Sequence, residues 1–196
     1  MTEPASKDGL PILAFPDPAA WEAWVANQPD DAPGLWLKIA KKDSGIPTVT
    51  YAEALDVALC HGWIDGQKGR FDDQYFVQRF TPRRPRSRWS KINVDKVAQL
   101  IAAGRMRPRG QKQVDAAQAD GRWQAAYASS STITVPEDLE QALLANPQAQ
   151  AFFATLDRTN RFAILYRVQD AKRPETRARR IETFVAMLAR GEKVHS

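Results

Sequence analysis

Residues 60–91 read CHGWIDGQKGRFDDQYFVQRFTPRRPRSRWSK, the most chemically loaded stretch of the chain. Gly62 stands where a helix ending near Cys60–His61 needs a left-handed residue. Trp63–Asp65 and Tyr75–Phe80 are extended runs, and Gly66, Gly69, Asp72 and Asp73 between them supply turn chemistry. Pro82 and Pro85 end the second run, and Ser90 is a helix N-cap. A strand pair bracketed by helices places the chain in the α+β class.

Upstream, Leu10–Phe15 is a short extended segment, and Asp17 caps a helix with Pro18 at its first position. Gly34–Lys41 alternates Leu35, Leu37 and Ile39 against Trp36, Lys38 and Ala40, which predicts a strand with one buried face. With the two later runs it makes a small antiparallel sheet of about three strands. Thr50 and Glu53 form a capping box, and Ala54, Leu55, Ala58 and Leu59 make the inward stripe of the helix they open.

Downstream, Val94, Val97, Ala98 and Ile101 form the apolar face of the helix after Ser90, and Gly104 stops it. Another helix runs from about Gly110 to Ala119. Residues 128–135, ASSSTITV, read as a linker between an α+β domain over 1–127 and a helical module over 136–196. In that module helices open at Pro136, at Asn146–Pro147, at Arg158 and at Pro174. Phe162, Leu165 and Tyr166 share one side of the third, and Ile181, Phe184, Val185 and Leu188 line the fourth.

Composition bounds the function. Across 196 residues, 43% are apolar, enough for a packed core. The single cysteine, Cys60, rules out an intramolecular disulfide and suits a reducing compartment. No window approaches the roughly 20 apolar residues of a membrane span, and the N-terminus does not read as a secretory signal. A cytoplasmic location is the expectation. The net charge of +5 hides an asymmetry. From Gly66 to Lys112 thirteen cations face three carboxylates, so the rest of the chain is mildly acidic. A second basic cluster lies at Lys172, Arg173, Arg177, Arg179 and Arg180.

Several long motifs carry a resemblance. YAEALDVALCHGWIDGQ (51–67), YFVQRFTPRRPRSRWSKINV (75–94), LIAAGRMRP (100–108) and ADGRW (119–123) resemble the bacterial YdeI/OmpD-associated family, also called bacteriocin-protection-like proteins. PEDLEQALLANPQAQAFF (136–153) and DAKRPETRARRIE (170–182) resemble that family's helical OmdA domain. The likeness runs from about Phe15 to Lys193, with Arg107 before Pro108 as a departure. It implies a link to bacteriocin resistance or to an outer-membrane porin, and it carries over no catalytic residue.

The residues themselves exclude some chemistry. Adjacent helical positions point apart, so Cys60 and His61 do not make a nucleophile–base pair. One Cys and two His do not make a usual zinc site, and no phosphate loop of the Walker type is present. No metal, cofactor or catalytic residue is assigned. If Ile64 packs inward, Trp63 and Asp65 face a cleft or solvent. Asp65 then holds an arginine of the 79–88 segment, either as a structural strut or as part of a ligand site. The TPRRPRSRWS stretch reads as an anion site, with prolines fixing the backbone, arginine forks suited to oxyanions and a helix N-terminus at Ser90. Trp89 is either core or a stacking platform.

The candidate ligand-binding set is therefore Trp63, Asp65, Gln67, Arg79, Arg83, Arg84, Arg88, Trp89, Ser90 and Lys91. The leading expectation is non-enzymatic binding of a small anionic ligand or an acidic protein partner in a bacteriocin- or stress-resistance role. An enzyme acting on a phosphorylated or carboxylated substrate, with Asp65 as acid–base group, is one alternative. Nucleic-acid binding through interleaved Arg and Trp is the other.

Overall fold

The computed structural model describes residues 5–195, and they form an α+β fold of eight helices and one five-stranded mixed sheet. The chain divides into two compact units, one through Ala126 and one from Tyr127.

In the first unit β1 (Ser6–Lys7), β2 (Leu10–Leu13), β3 (Leu35–Ala40), β4 (Trp63–Arg70) and β5 (Tyr75–Pro82) lie in the order β1-β2-β3-β5-β4. The three expected strands are present, but the expected sheet is too small and too uniform. β1 and β2 extend it, and β2 runs parallel to β3, joined through α1 (Pro18–Ala26). The Asp17 carboxylate accepts from the Ala20 N–H at 2.8 Å, and Thr50 and Glu53 make the full capping box of α2 (Tyr51–Cys60).

Alternation along β3 turns Leu35, Leu37 and Ile39 to the face covered by α1, α2, α3 (Lys91–Ala102) and α4 (Pro108–Ala119). Trp21 sits at the centre of that core, fully buried, with its indole N–H donating to the Ala54 carbonyl at 3.1 Å. Trp24, Trp63, Phe15 and Phe80 pack around it. The other face of β3 was expected to be open, but Trp36 is buried there too. It lies in a small cluster with Leu10, Ile12 and Val77, under the Lys7 ammonium.

The turn between β4 and β5 also departs from expectation. Gly66 and Gly69 lie within β4, beside a register shift between Asp65 and Lys68. The reversal is made by Asp72, whose carboxylate accepts from the Gln74 and Tyr75 N–H groups at 2.8 and 2.7 Å, a side-chain mimic of a backbone turn. In α3 the buried residues are Asn93, Val97 and Leu100, while Ile101 is 42% exposed, and Ser90 caps the helix by accepting from the Asn93 N–H. α4 begins two residues earlier than expected, at Pro108, a position where the missing N–H costs nothing.

The second unit holds α5 (Glu137–Leu144), α6 (Pro147–Thr155), α7 (Arg158–Asp170) and α8 (Pro174–Ala189) around Leu139, Leu143, Ile164, Leu165, Phe184 and Leu188. α7 buries Asn160, Ile164, Leu165 and Val168, so of the expected side Leu165 is core while Phe162 and Tyr166 lie half-buried. The guanidinium of Arg177 on α8 pairs with Asp138 at the start of α5.

The boundaries read from the sequence, with a linker over 128–135, stand as a proposal that limited proteolysis tests. Residues 130–132 are exposed and carry no regular element. A protease of broad specificity should cut within Ser129–Thr134 before it cuts β3 or α8. First cleavage inside either element contradicts that division.

Candidate functional site

Three segments far apart in sequence meet at the end of α2. The first is Cys60-His61-Gly62. Gly62 adopts φ +75, and a Cβ there would lie 3.0 Å from the Arg109 carbonyl, so glycine is needed for both reasons. The second is the exit of β5, where the Arg83 N–H donates to the Gly62 carbonyl at 2.9 Å. The third is the first turn of α4. Its approach is set by the Arg107 N–H, which donates to the Cys60 carbonyl at 3.1 Å, and by Gly110, which lies directly against that carbonyl.

Between them lies a cavity of about 170 Å³. Arg83, Arg109 and Lys112 bring three cations to its wall, His61 and Gln113 add polar groups, and Asp30 is its carboxylate. Arg83 is only 6% exposed. Its guanidinium lies 3.5 Å from the centre of the Trp89 ring, and its Nη1 donates to the Arg88 carbonyl. Stacking and that hydrogen bond hold the fork in place. Arg109 is held by its Nη1, which donates to the Gln28 carbonyl at 2.8 Å, while its Nε lies 2.8 Å from Asp30 Oδ1. Lys112 makes no ion pair among the described residues.

His61 is buried, and its Nε2 lies 3.1 Å from Glu22 Oε1. The same oxygen accepts from Arg107 Nε and Nη2 at 3.1 and 2.7 Å. Those bonds, from Arg107 first and His61 second, hold the Glu22 carboxyl below its usual range. A depressed carboxylate stabilises the fold above its unfolded value and loses that contribution as acid protonates it. Glu22→Gln should therefore flatten the acid side of a stability–pH curve, a change that urea melts between pH 3 and 6 would read.

Burial pushes the Cys60 thiol up, which leaves it protonated and poorly nucleophilic near neutrality. Its side chain is core. Cys60→Ala should cost about 1 kcal/mol by lost packing and leave binding in the neighbouring cavity intact. Abolished binding in a folded variant would revive a reactive role.

The sequence-derived set does not gather in one place. Arg83 lines the cavity. Trp63 is buried against Trp21 and Trp24, so the expectation that it faces a cleft with Ile64 inward is reversed. Asp65 pairs in register with Phe80, so Arg79 points to the opposite face of the sheet. The partner of Asp65 is the Tyr51 hydroxyl, which donates at 2.8 Å, in place of the expected arginine. The Gln67 carbonyl accepts from the Gln78 side chain. Trp89 is core, 4.9 Å from Trp123. Ser90 spends its hydroxyl oxygen on capping α3, and Arg84 and Lys91 are exposed at the loop and helix start.

Sequence reasoning missed His61, Arg109, Lys112, Gln113 and Asp30 as a group. Arg109, Lys112 and Gln113 fall at i, i+3 and i+4, one face of a helix. That spacing was the available signal, but nothing local says which surface the face meets.

Two larger hollows carry a different chemistry. A cleft of about 460 Å³ beside Tyr51 and Phe76 is mostly apolar, and the Lys41 ammonium at its edge is occupied by the Asp72 and Asp73 carbonyls. A groove of about 600 Å³ in the second unit is floored by Ala178, Ile181 and Val185.

Residues 13–113 match the family model described as Domain of unknown function (DUF8412), and residues 132–191 match OmdA, described as Bacteriocin-protection, YdeI or OmpD-Associated. No curated protein and no solved structure matches the chain. All residues around the small basic cavity fall inside the first match.

Proposed function

The chain belongs to the DUF8412 family over residues 13–113 and to the bacteriocin-protection, YdeI or OmpD-associated family through its OmdA domain, and we propose that its N-terminal unit binds a small oxyanion without chemically changing it. The observation that carries this reading is the convergence of Arg83, Arg109 and Lys112 on one cavity where Asp30 is the one carboxylate among the described lining residues. Like charges held together repel, and a bound anion relieves the repulsion. The fixed forks of Arg83 and Arg109 suit phosphate or carboxylate oxygens, and their immobilisation is already complete before a ligand arrives. A protective role against bacteriocin, as the description of the matched OmdA domain suggests, would then depend on sensing or sequestering that anion.

The two alternatives draw less support from the geometry. Asp65 is outside the lining of this cavity, so the convergence of cations there does not support an acid–base role for it. The basic segment is also partitioned, since Lys96 and Arg105 pair with Asp56, Arg107 with Glu22 and Arg70 with Asp73. A nucleic acid needs a continuous run of available cations.

Thermal melting in phosphate and in acetate against chloride at equal ionic strength tests the proposal. At ten times its Kd a specific ligand adds about 1.4 kcal/mol to stability, while screening alone acts equally in all three salts. Phosphate should raise the melting temperature more, Arg109→Glu should remove the difference, and Arg84→Glu should preserve it. Loss of the difference in Arg84→Glu alone would move the site to the loop before α3, and identical melting in chloride, phosphate and acetate would sink the proposal.

A further inference from the structure

We propose that the ligand of this cavity is a short carboxylate, and that Asp30 is the chain's own substitute for it; this rests on the anion-site reading. Arg109 shows what its free edge accepts. With Nη1 committed to the Gln28 carbonyl, the Nε side is what remains for a ligand, and a carboxylate oxygen of Asp30 occupies it at 2.8 Å. Two parallel donors on one guanidinium edge match the two coplanar oxygens of a carboxylate.

Asp30 is poorly held for a structural residue. Its side chain is 81% exposed, and Arg109 is its partner among the described residues. It rides on the connection between α1 and β3, just after Pro29, in a turn closed by the Ala32 N–H on the Pro29 carbonyl. An ion pair this exposed contributes little, so an incoming carboxylate displaces it at small cost. Because Asp30 is tethered, it nevertheless competes at high effective concentration. It therefore sets a threshold on occupancy without closing the site.

Size narrows the class. Drug-sized ligands fill pockets of roughly 300–1,000 Å³, so a cavity of about 170 Å³ takes only a small molecule. A carboxylate at Arg109 leaves room for one further small polar group toward Arg83, His61 and Gln113. Malonate and acetate are suitable probes, one with that second group and one without.

The test is an NMR shift titration of the full chain with malonate, acetate and phosphate, following the Gly62 and Gln113 amides. Wild type, Asp30→Asn and Asp31→Asn are compared. Asp31→Asn removes the same charge from the neighbouring position, which has no contact with Arg109 among the described residues. Malonate should bind wild type more tightly than acetate. Asp30→Asn should tighten both by roughly two- to fivefold, the range of an exposed ion pair, and Asp31→Asn should leave them unchanged. Equal gains in both variants, or no gain in either, would make Asp30 an ordinary surface charge and overturn the inference alone. Binding of phosphate without carboxylates would overturn the ligand class. No binding of any probe in any of the three proteins would overturn the anion-site reading beneath it. Should Asp30→Asn fold poorly by its melting curve, Asp30→Ala takes its place.

Discussion

Gly110→Ala should lower the melting temperature of the N-terminal unit by roughly 10 °C, a loss of about 3 kcal/mol or more. A Cβ at this position would lie 2.1 Å from the Cys60 carbonyl oxygen, 2.7 Å from its carbon and 2.8 Å from the Leu59 oxygen. All three are backbone atoms at the end of α2, so no rotamer change relieves the clash, and α4 must shift as a body. Gly104 gives the contrast. It adopts φ +66 with nothing near its missing Cβ, so Gly104→Ala carries only the backbone term of about 1 kcal/mol. Because α4 carries Arg109, Lys112 and Gln113, Gly110→Ala should also weaken anion binding even at temperatures where it stays folded. Melts followed by tryptophan fluorescence read the first effect and a phosphate titration reads the second. A loss under 1 kcal/mol would show that α2 and α4 do not meet as described.

The largest binding effect is expected from Arg109→Glu combined with Lys112→Glu, which should weaken phosphate or malonate binding by roughly a hundredfold or more. Hydrogen bonds to charged groups contribute about 1.5–3 kcal/mol each, so losing two amounts to about 3–6 kcal/mol. Reversal also sets two carboxylates beside Asp30, which repels the ligand outright. The fold should tolerate the change, since Lys112 is exposed and Arg109 is only half-buried. Arg83 is a poorer target, because its guanidinium also stacks on the buried Trp89. Calorimetric titration of the double variant decides the matter. Binding within threefold of wild type would place the anion elsewhere.

What the sequence revealed was local. Asp17 with Pro18, Thr50 with Glu53, and Asn146 with Pro147 are start signals within a few residues of what they control, and each opens its helix as read. What it concealed depended on partners distant in the chain. β1 is too short to announce itself, and β2, legible as the extended run from Leu10, enters the sheet by a parallel pairing that no hairpin signal marks. Trp36 sits on the polar phase of β3, yet Leu10, Ile12 and Val77 build a second small core around it. Gly66 and Gly69 looked like turn residues, but both lie within β4, with Gly66 at its register shift.

The candidate site follows the same division. The arginines before α3 stood out because they are crowded in sequence, but Arg84 is exposed there, while Arg83 turns inward. The cations that join Arg83 come from α4, about 26 residues further on, and the His from the end of α2. Charge density along the chain identified one of these residues. The tight α2–α4 approach at Gly110, invisible without the fold, supplies the rest.

A crystal structure of the protein grown or soaked in malonate or phosphate tests the central claim most directly. The account predicts an anion in the cavity beside Gly62, within hydrogen-bond distance of Arg83 and Arg109, with Asp30 turned away from the Arg109 Nε. An anion bound instead at Arg84 and the start of α3, with the cavity holding only water and Asp30 still on Arg109, would contradict it.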